Sequence, residues 1–178
     1  MSERTICAVA TPPGRGGIGV IRLSGPDTRA IAESITGALP LPRQAVLRRF
    51  SDADGQTIDE GLVLWFPGPH SFTGEDVAEL QGHGGPVVMD RLLQAMLAAG
   101  AELAEPGEFS ERAFLNGRMD LTRAEAIADL IEAGSEAAAK AAMRSLEGAF
   151  SNTIHELVDQ VMTLRVHLES SIDFVDEP

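Results

Sequence analysis

A chain of 178 residues can bury one good core, or a domain of about 120 residues with an appendage. Its net charge of −13 excludes broad tracking of a phosphate backbone, because such affinity comes from Lys and Arg releasing counterions. The single cysteine, Cys7, excludes an intrachain disulfide, and no run reaches the ~20 apolar residues of a membrane span. The charge is uneven: residues 119–178 carry 12 acids against 4 Lys/Arg, and residues 1–118 carry 15 against 10. Lys140 is the only Lys, so any anion site must be local and built from Arg. Tyr is absent and Trp65 is the only Trp, which predicts an aliphatic core.

In chain order, residues 4–10 predict a buried strand with Cys7 as a small core residue. Pro12-Pro13-Gly14-Arg15-Gly16-Gly17 is too rich in breakers for regular structure. Residues 18–23 predict a second strand, and residues 27–35 a short helix with Ala30, Ile31 and Ile35 on its apolar side. Leu39-Pro40-Leu41-Pro42 is extended. Residues 45–50 and 58–66 predict a hairpin turned by Asp54-Gly55. Residues 76–81 predict a strand that runs into Gly82-His83-Gly84-Gly85. Residues 86–99 predict a helix with Pro at its first turn, where a missing N–H costs nothing. Residues 101–104 predict a last short strand.

Pro106-Gly107 then makes a turn, residues 108–115 a short helix, and Asn116-Gly117-Arg118 a polar corner. Strands mixed with a few helices give an α+β domain over residues 1–118, and residues 119–178 form a separate helical part. One long helix is expected over residues 122–146, opened by a capping box of Thr122 and Glu125. A second, capped by Ser151 or Asn152, carries Leu157, Val161, Leu164, Leu168 and Ile172 at helical spacing. Two helices in a hairpin bury both apolar stripes poorly, so they read as the front of an incomplete bundle, and the chain as a fragment.

Few stretches offer chemistry. Gly14-Arg15-Gly16-Gly17-Ile18-Gly19 matches G-x-G-x-x-G, yet a strand follows where a dinucleotide site needs a helix. It reads as a tight turn between strands whose N–H groups can still meet a carboxylate or a partner. Arg22 sits among Val20, Ile21 and Leu23, and Glu79 stands in a similar strand. They either pair with each other or line a pocket in which the carboxylate accepts N–H groups of a heterocycle. His83, flanked by glycines, reads as a hydrogen-bonded corner; the four scattered His give no metal-ligand spacing, so no metal is expected. No nucleophile–base set and no catalytic residue presents itself. The N-terminus lacks the layout of a signal peptide, and a cytoplasmic protein with no membrane attachment is expected.

Several long, ordered runs carry a resemblance. They are residues 10–25 (ATPPGRGGIGVIRLSG), Phe72-Thr73-Gly74-Glu75-Asp76, Gln81-Gly82-His83-Gly84-Gly85-Pro86, residues 106–117 (PGEFSERAFLNG) and residues 120–131 (DLTRAEAIADLI). The chain resembles the N-terminal part of the MnmE (TrmE) family of tRNA modification GTPases. The resemblance implies a mixed-sheet domain similar to the folate-binding domains of the aminomethyltransferase group. That domain would bind a tetrahydrofolate derivative, with 5-formyltetrahydrofolate as the stable form, and pair with its copy into a homodimer. It also implies a helical domain into which a GTPase domain is inserted; GTP, Mg and K would enter only through that domain, which this chain lacks. In the family, a FAD-dependent partner, MnmG (GidA), and tRNA complete the complex that modifies the wobble uridine with a folate one-carbon unit. The family's folate contacts fall on Arg22, Glu79 and Arg118. The competing reading is an acidic interaction scaffold whose amphipathic helices matter more than any pocket.

Overall fold

The computed structural model describes residues 4–173. Residues 174–178, where the second expected helix runs out, lie outside them. Two compact units divide the chain, one ending at Arg118 and one starting at Met119.

The first unit is built on a six-stranded mixed sheet. Its strands are β1 (Ile6–Val9), β2 (Gly19–Ser24), β3 (Val46–Ser51), β4 (Thr57–Phe66), β5 (Val77–Gly82) and β6 (Glu102–Leu103). They lie in the order β3-β4-β5-β2-β1-β6. All pairings are antiparallel except β1 with β6. Alternation sends Ile21 and Leu23 of β2, Val63 and Trp65 of β4 and Leu80 of β5 into the core. There they meet α1 (Thr28–Thr36), through Ile31 and Ile35, and α2 (Pro86–Ala98), through Met89, Leu92 and Met96. Leu92 is fully buried, which is worth about 1.5–3 kcal/mol relative to exposure. Cys7 lies in the same core, and burial pushes its thiol up to about 11.

The opposite sheet face carries Arg22, Glu79 and the exposed Leu62. The hairpin expected at Asp54-Gly55 forms, with Gly55 at φ +75° and its N–H donating to Asp52 O. The glycine-rich segment after β1 is a turn, and Gly16 N–H donates to Gly84 O across to the segment before α2. A Cβ at Gly84 would stand 2.5 Å from Ile18 O, so the approach requires glycine.

α3 (Glu108–Leu115) is joined to the sheet by buried charge. Arg112 Nη2 donates to Glu108 Oε1 (2.8 Å), while Nη1 reaches Glu75 Oε2 and Arg4 O (3.0 Å each). Ser24 Oγ donates to Glu75 Oε2 and pairs with Thr73 Oγ1. The Arg112, Glu75 and Glu108 side chains are all below a tenth exposed. Such a cluster holds only while every member is paired.

The second unit departs from the expected pair of long helices. The helix predicted over residues 122–146 is two helices, α4 (Leu121–Glu132) and α5 (Glu136–Leu146), followed by α6 (Ala149–Asp173). The break falls at Ala133-Gly134-Ser135, because Ser135 Oγ accepts the Ala138 N–H and caps a new helix. The expected Thr122–Glu125 capping box is also replaced. Asp120 is the cap and accepts the Arg123 N–H at 2.9 Å, and Thr122 Oγ1 donates to Asp120. Those hydrogen bonds, led by that of Thr122, hold the Asp120 carboxyl at about 2. α6 starts ahead of Ser151, which instead pairs its hydroxyl with Thr122. In α6, Leu157, Val161 and Leu164 are more than half exposed.

Two outcomes test this architecture. Arg112→Ala leaves the buried Glu75 carboxylate without its cation and Glu108 with only Arg4, and should cost about 3–5 kcal/mol in urea unfolding. Burial raises the Glu108 carboxyl, but the Glu105 N–H and the Arg112 and Arg4 guanidiniums outweigh it and hold it below the usual range. A depressed carboxylate stabilises above its unfolded pKa and loses that contribution as pH falls through its folded one. Thermal melts should therefore show the Arg112-dependent stability intact at pH 7 and eroding below about 4.3. In the helical unit, Asp120→Ala should cost about 1 kcal/mol and Glu125→Ala a few tenths at most, by urea melts followed at 222 nm.

Candidate functional site

Arg22 and Glu79 are cross-strand partners in register on β2 and β5. Arg22 donates from Nε (2.9 Å) and Nη2 (2.7 Å) to one oxygen, Glu79 Oε1. The ion pair half of the open alternative is thus present. It does not use up the carboxylate: among the described residues the bonds from Arg22 fall on Oε1, and Oε2 has no hydrogen-bond partner. The pair is not sealed either, with side chains 28% and 17% exposed. Both sit on the sheet face away from α1 and α2, so the chain provides a floor rather than a closed pocket.

Two aromatic rings hold Arg22 in place. Its guanidinium carbon lies 5.2 Å from the Phe72 ring centroid and 5.7 Å from that of Phe109. These contacts are cation–π in geometry. Phe109 arrives on α3, one turn before the buried Arg112, so the charge cluster that anchors the helix also sets this ring. Sequence reasoning missed both rings; the only trace was their place in two of the motif runs.

Arg118 is not in direct contact with the Arg22–Glu79 pair. It follows α3, with its N–H donating to Ala113 O at 2.8 Å, and its side chain is exposed. Its stem lies over Gly74, in the turn that begins with Phe72. The loop holding residues 72–74 thus touches two of the three expected site residues, with Phe72 beside Arg22 and Gly74 beside Arg118. No hydrogen bond or ion pair of the Arg118 guanidinium is recorded among the described residues. A cavity of about 610 Å³ adjoins this turn, lined in part by Gly25, Pro26, Gly74, Asp76 and Asn116; none of Arg22, Glu79 and Arg118 lines it.

His83 forms the expected hydrogen-bonded corner. Asp59 accepts both its backbone N–H (2.7 Å) and its ring Nδ1 (2.8 Å). Asp59 is held below the usual carboxylate range: burial raises it, and the two His83 bonds more than offset that. Among the described residues no group of three His, Cys, Asp or Glu is placed to hold a metal ion. Nor is any helix long and apolar enough to cross a membrane.

The arrangement can do two things. An anchored carboxylate with a spare oxygen can accept adjacent N–H groups of a flat heterocycle, and a free guanidinium can meet a carboxylate. It presents no nucleophile and no poised general base.

Comparison with known proteins agrees along the whole length. Residues 5–118 match the family described as "GTP-binding protein TrmE N-terminus", and residues 121–178 match "MnmE helical domain". A relative from Alkalilimnicola ehrlichii, named tRNA modification GTPase MnmE, is 68% identical over 99% of this chain and 40% of its own length. Relatives of the same name from Chromohalobacter salexigens and Coxiella burnetii are each 63% identical, over 98% and 97% of this chain and 38% of their own lengths. The chain thus spans about two fifths of the length of these relatives. The α+β sheet domain, the helical unit after it and these matches together establish that the chain belongs to the TrmE/MnmE family of tRNA modification GTPases.

Proposed function

We propose that the first unit, residues 1–118, is a tetrahydrofolate-binding domain and that residues 119–178 begin the helical domain. The observation that carries the reading is the Arg22–Glu79 pair. An anchored carboxylate on an open sheet face, with an oxygen to spare, suits the amino-pyrimidine edge of a pterin. Arg118 supplies the cation for the acidic tail, and 5-formyltetrahydrofolate is the stable form to test.

The open face supports a second part of the proposal. A ligand lying on the Arg22–Glu79 floor keeps one side in water unless another wall covers it. A second copy of the domain, related by a two-fold axis, is that wall, and Leu62 supplies apolar contact. At the level of the whole protein, the chain serves a cytoplasmic GTP-hydrolysing enzyme of tRNA modification. In this proposal the folate supplies a one-carbon unit for the wobble uridine, MnmG (GidA) is the FAD-dependent partner, and GTP, Mg and K belong to the GTPase domain. The exposed stripe of α6 would then be covered by other helices of the longer protein.

The alternative, an acidic scaffold without a ligand, rests on that same stripe. Titration calorimetry with 5-formyltetrahydrofolate separates the two: folate binding by the intact chain supports the proposal, and none at high micromolar ligand supports the scaffold. Glu79→Ala should abolish binding of the pterin end, and Arg118→Ala should weaken it by about 1–3 kcal/mol. Sedimentation at micromolar concentration should show a dimer; a monomer contradicts the two-fold wall.

A further inference from the structure

The Arg118 side chain combines two properties that seldom go together. Its stem is held, and its charge is left over. If Gly74 carried a Cβ, that atom would lie 3.1 Å from Arg118 Cγ and 3.3 Å from Cδ, and 3.1 Å from Asn116 Cβ. The Arg118 stem therefore lies flat across a surface that only glycine leaves low enough. Gly74 is also at φ +82°, where a side chain is strained in its own right. Asn116 fixes the other side of the slot, donating from Nδ2 to Thr73 O at 2.8 Å.

Two acids, Glu75 and Asp76, follow Gly74 in sequence, and either would be an obvious partner for Arg118. Each has one oxygen engaged elsewhere, and neither pairs with Arg118 among the described residues. Glu75 Oε2 accepts from Arg112 and Ser24, and Asp76 Oδ1 accepts the Gly68 N–H at 2.8 Å.

We infer that Gly74 and Asn116 are positioning residues: they form a slot that holds the Arg118 stem and aims its unpaired guanidinium at the carboxylate end of the ligand. This rests on the folate reading of the site and extends it to tail selectivity. The slot has no part in holding the pterin, which lies with Glu79. A change at Gly74 should therefore weaken ligands that carry an acidic tail and spare those that lack one.

The test uses the full 178-residue chain, with 5-formyltetrahydrofolate and a tail-less tetrahydropterin titrated into wild type, Gly74→Ala, Arg118→Ala and the double variant. Gly74→Ala should lose about tenfold or more in affinity for the folate and stay within about twofold for the pterin. The double variant should lose no more than Arg118→Ala alone, since both changes remove one interaction. Equal losses for both ligands, or additive losses in the double variant, overturn the slot. Should Gly74→Ala fail to fold by circular dichroism, Asn116→Ala carries the same expectation with a smaller folate-specific loss, and equal loss for both ligands overturns it. If wild type binds neither ligand, the folate reading fails, and the slot is then judged from the Arg118 Nε–Hε NMR resonance. A shift on Gly74→Ala supports the slot, and an unmoved resonance overturns it.

Discussion

A single buried guanidinium organises the first unit. Arg112 takes up two carboxylates, Glu75 from the loop before β5 and Glu108 from its own helix, and the Arg4 carbonyl from the first strand's approach. Removing charges from water is expensive, and this arrangement recovers the cost because Arg112 bonds both carboxylates while Arg4 and the Glu105 N–H also pair with Glu108. Ser24 and Thr73 extend the network into β2 and the motif loop. Through it, α3 is fixed against the sheet, Phe109 is fixed over Arg22, and the polar corner at Asn116 and Arg118 is fixed over Gly74. The groups of the proposed site are thus positioned by residues that lie outside it.

The proposed anion site lies in an acidic chain. Electrostatic attraction over distance works against a negatively charged ligand here. What remains in the proposed site is local: one arginine with no ion pair among the described residues, and one carboxylate whose neighbouring arginine bonds only one of its oxygens. Specificity then comes from geometry at short range, where hydrogen bonds to charged groups retain most of their strength.

Much of the first unit could be read from its residues. Strand and helix positions followed from alternation, from Pro86 at a helix start and from Asp54-Gly55 at a turn. Arg22 and Glu79 stood out because charges in apolar strands need a reason. Their pairing was only one of two readings, because strand order depends on contacts between β2 and β5 that lie 57 residues apart in sequence. The rings over Arg22 were unreadable for the same reason. The helical unit was misread locally. Residues 122–146 read as one helix, although Ser135 with Glu136 after it is the start of a new one. Thr122 with Glu125 looked like a cap, but Asp120, two residues earlier, reached the N–H first. In both cases a short polar side chain competed successfully for the backbone.

The reach of the Arg112 network along the chain has a consequence for how the domain can be divided. Its members stand at positions 4, 24, 75, 108 and 112, so almost the whole first unit is threaded between them. Cutting the chain before α3 would leave Glu75 buried with no cation; cutting after β1 would release the carbonyl that Arg112 holds. The unit is therefore indivisible in a sense that its sheet alone is not. The contact that completes it joins residues 108 positions apart, and such non-local pairing slows folding because the loop must close before the contact rewards it.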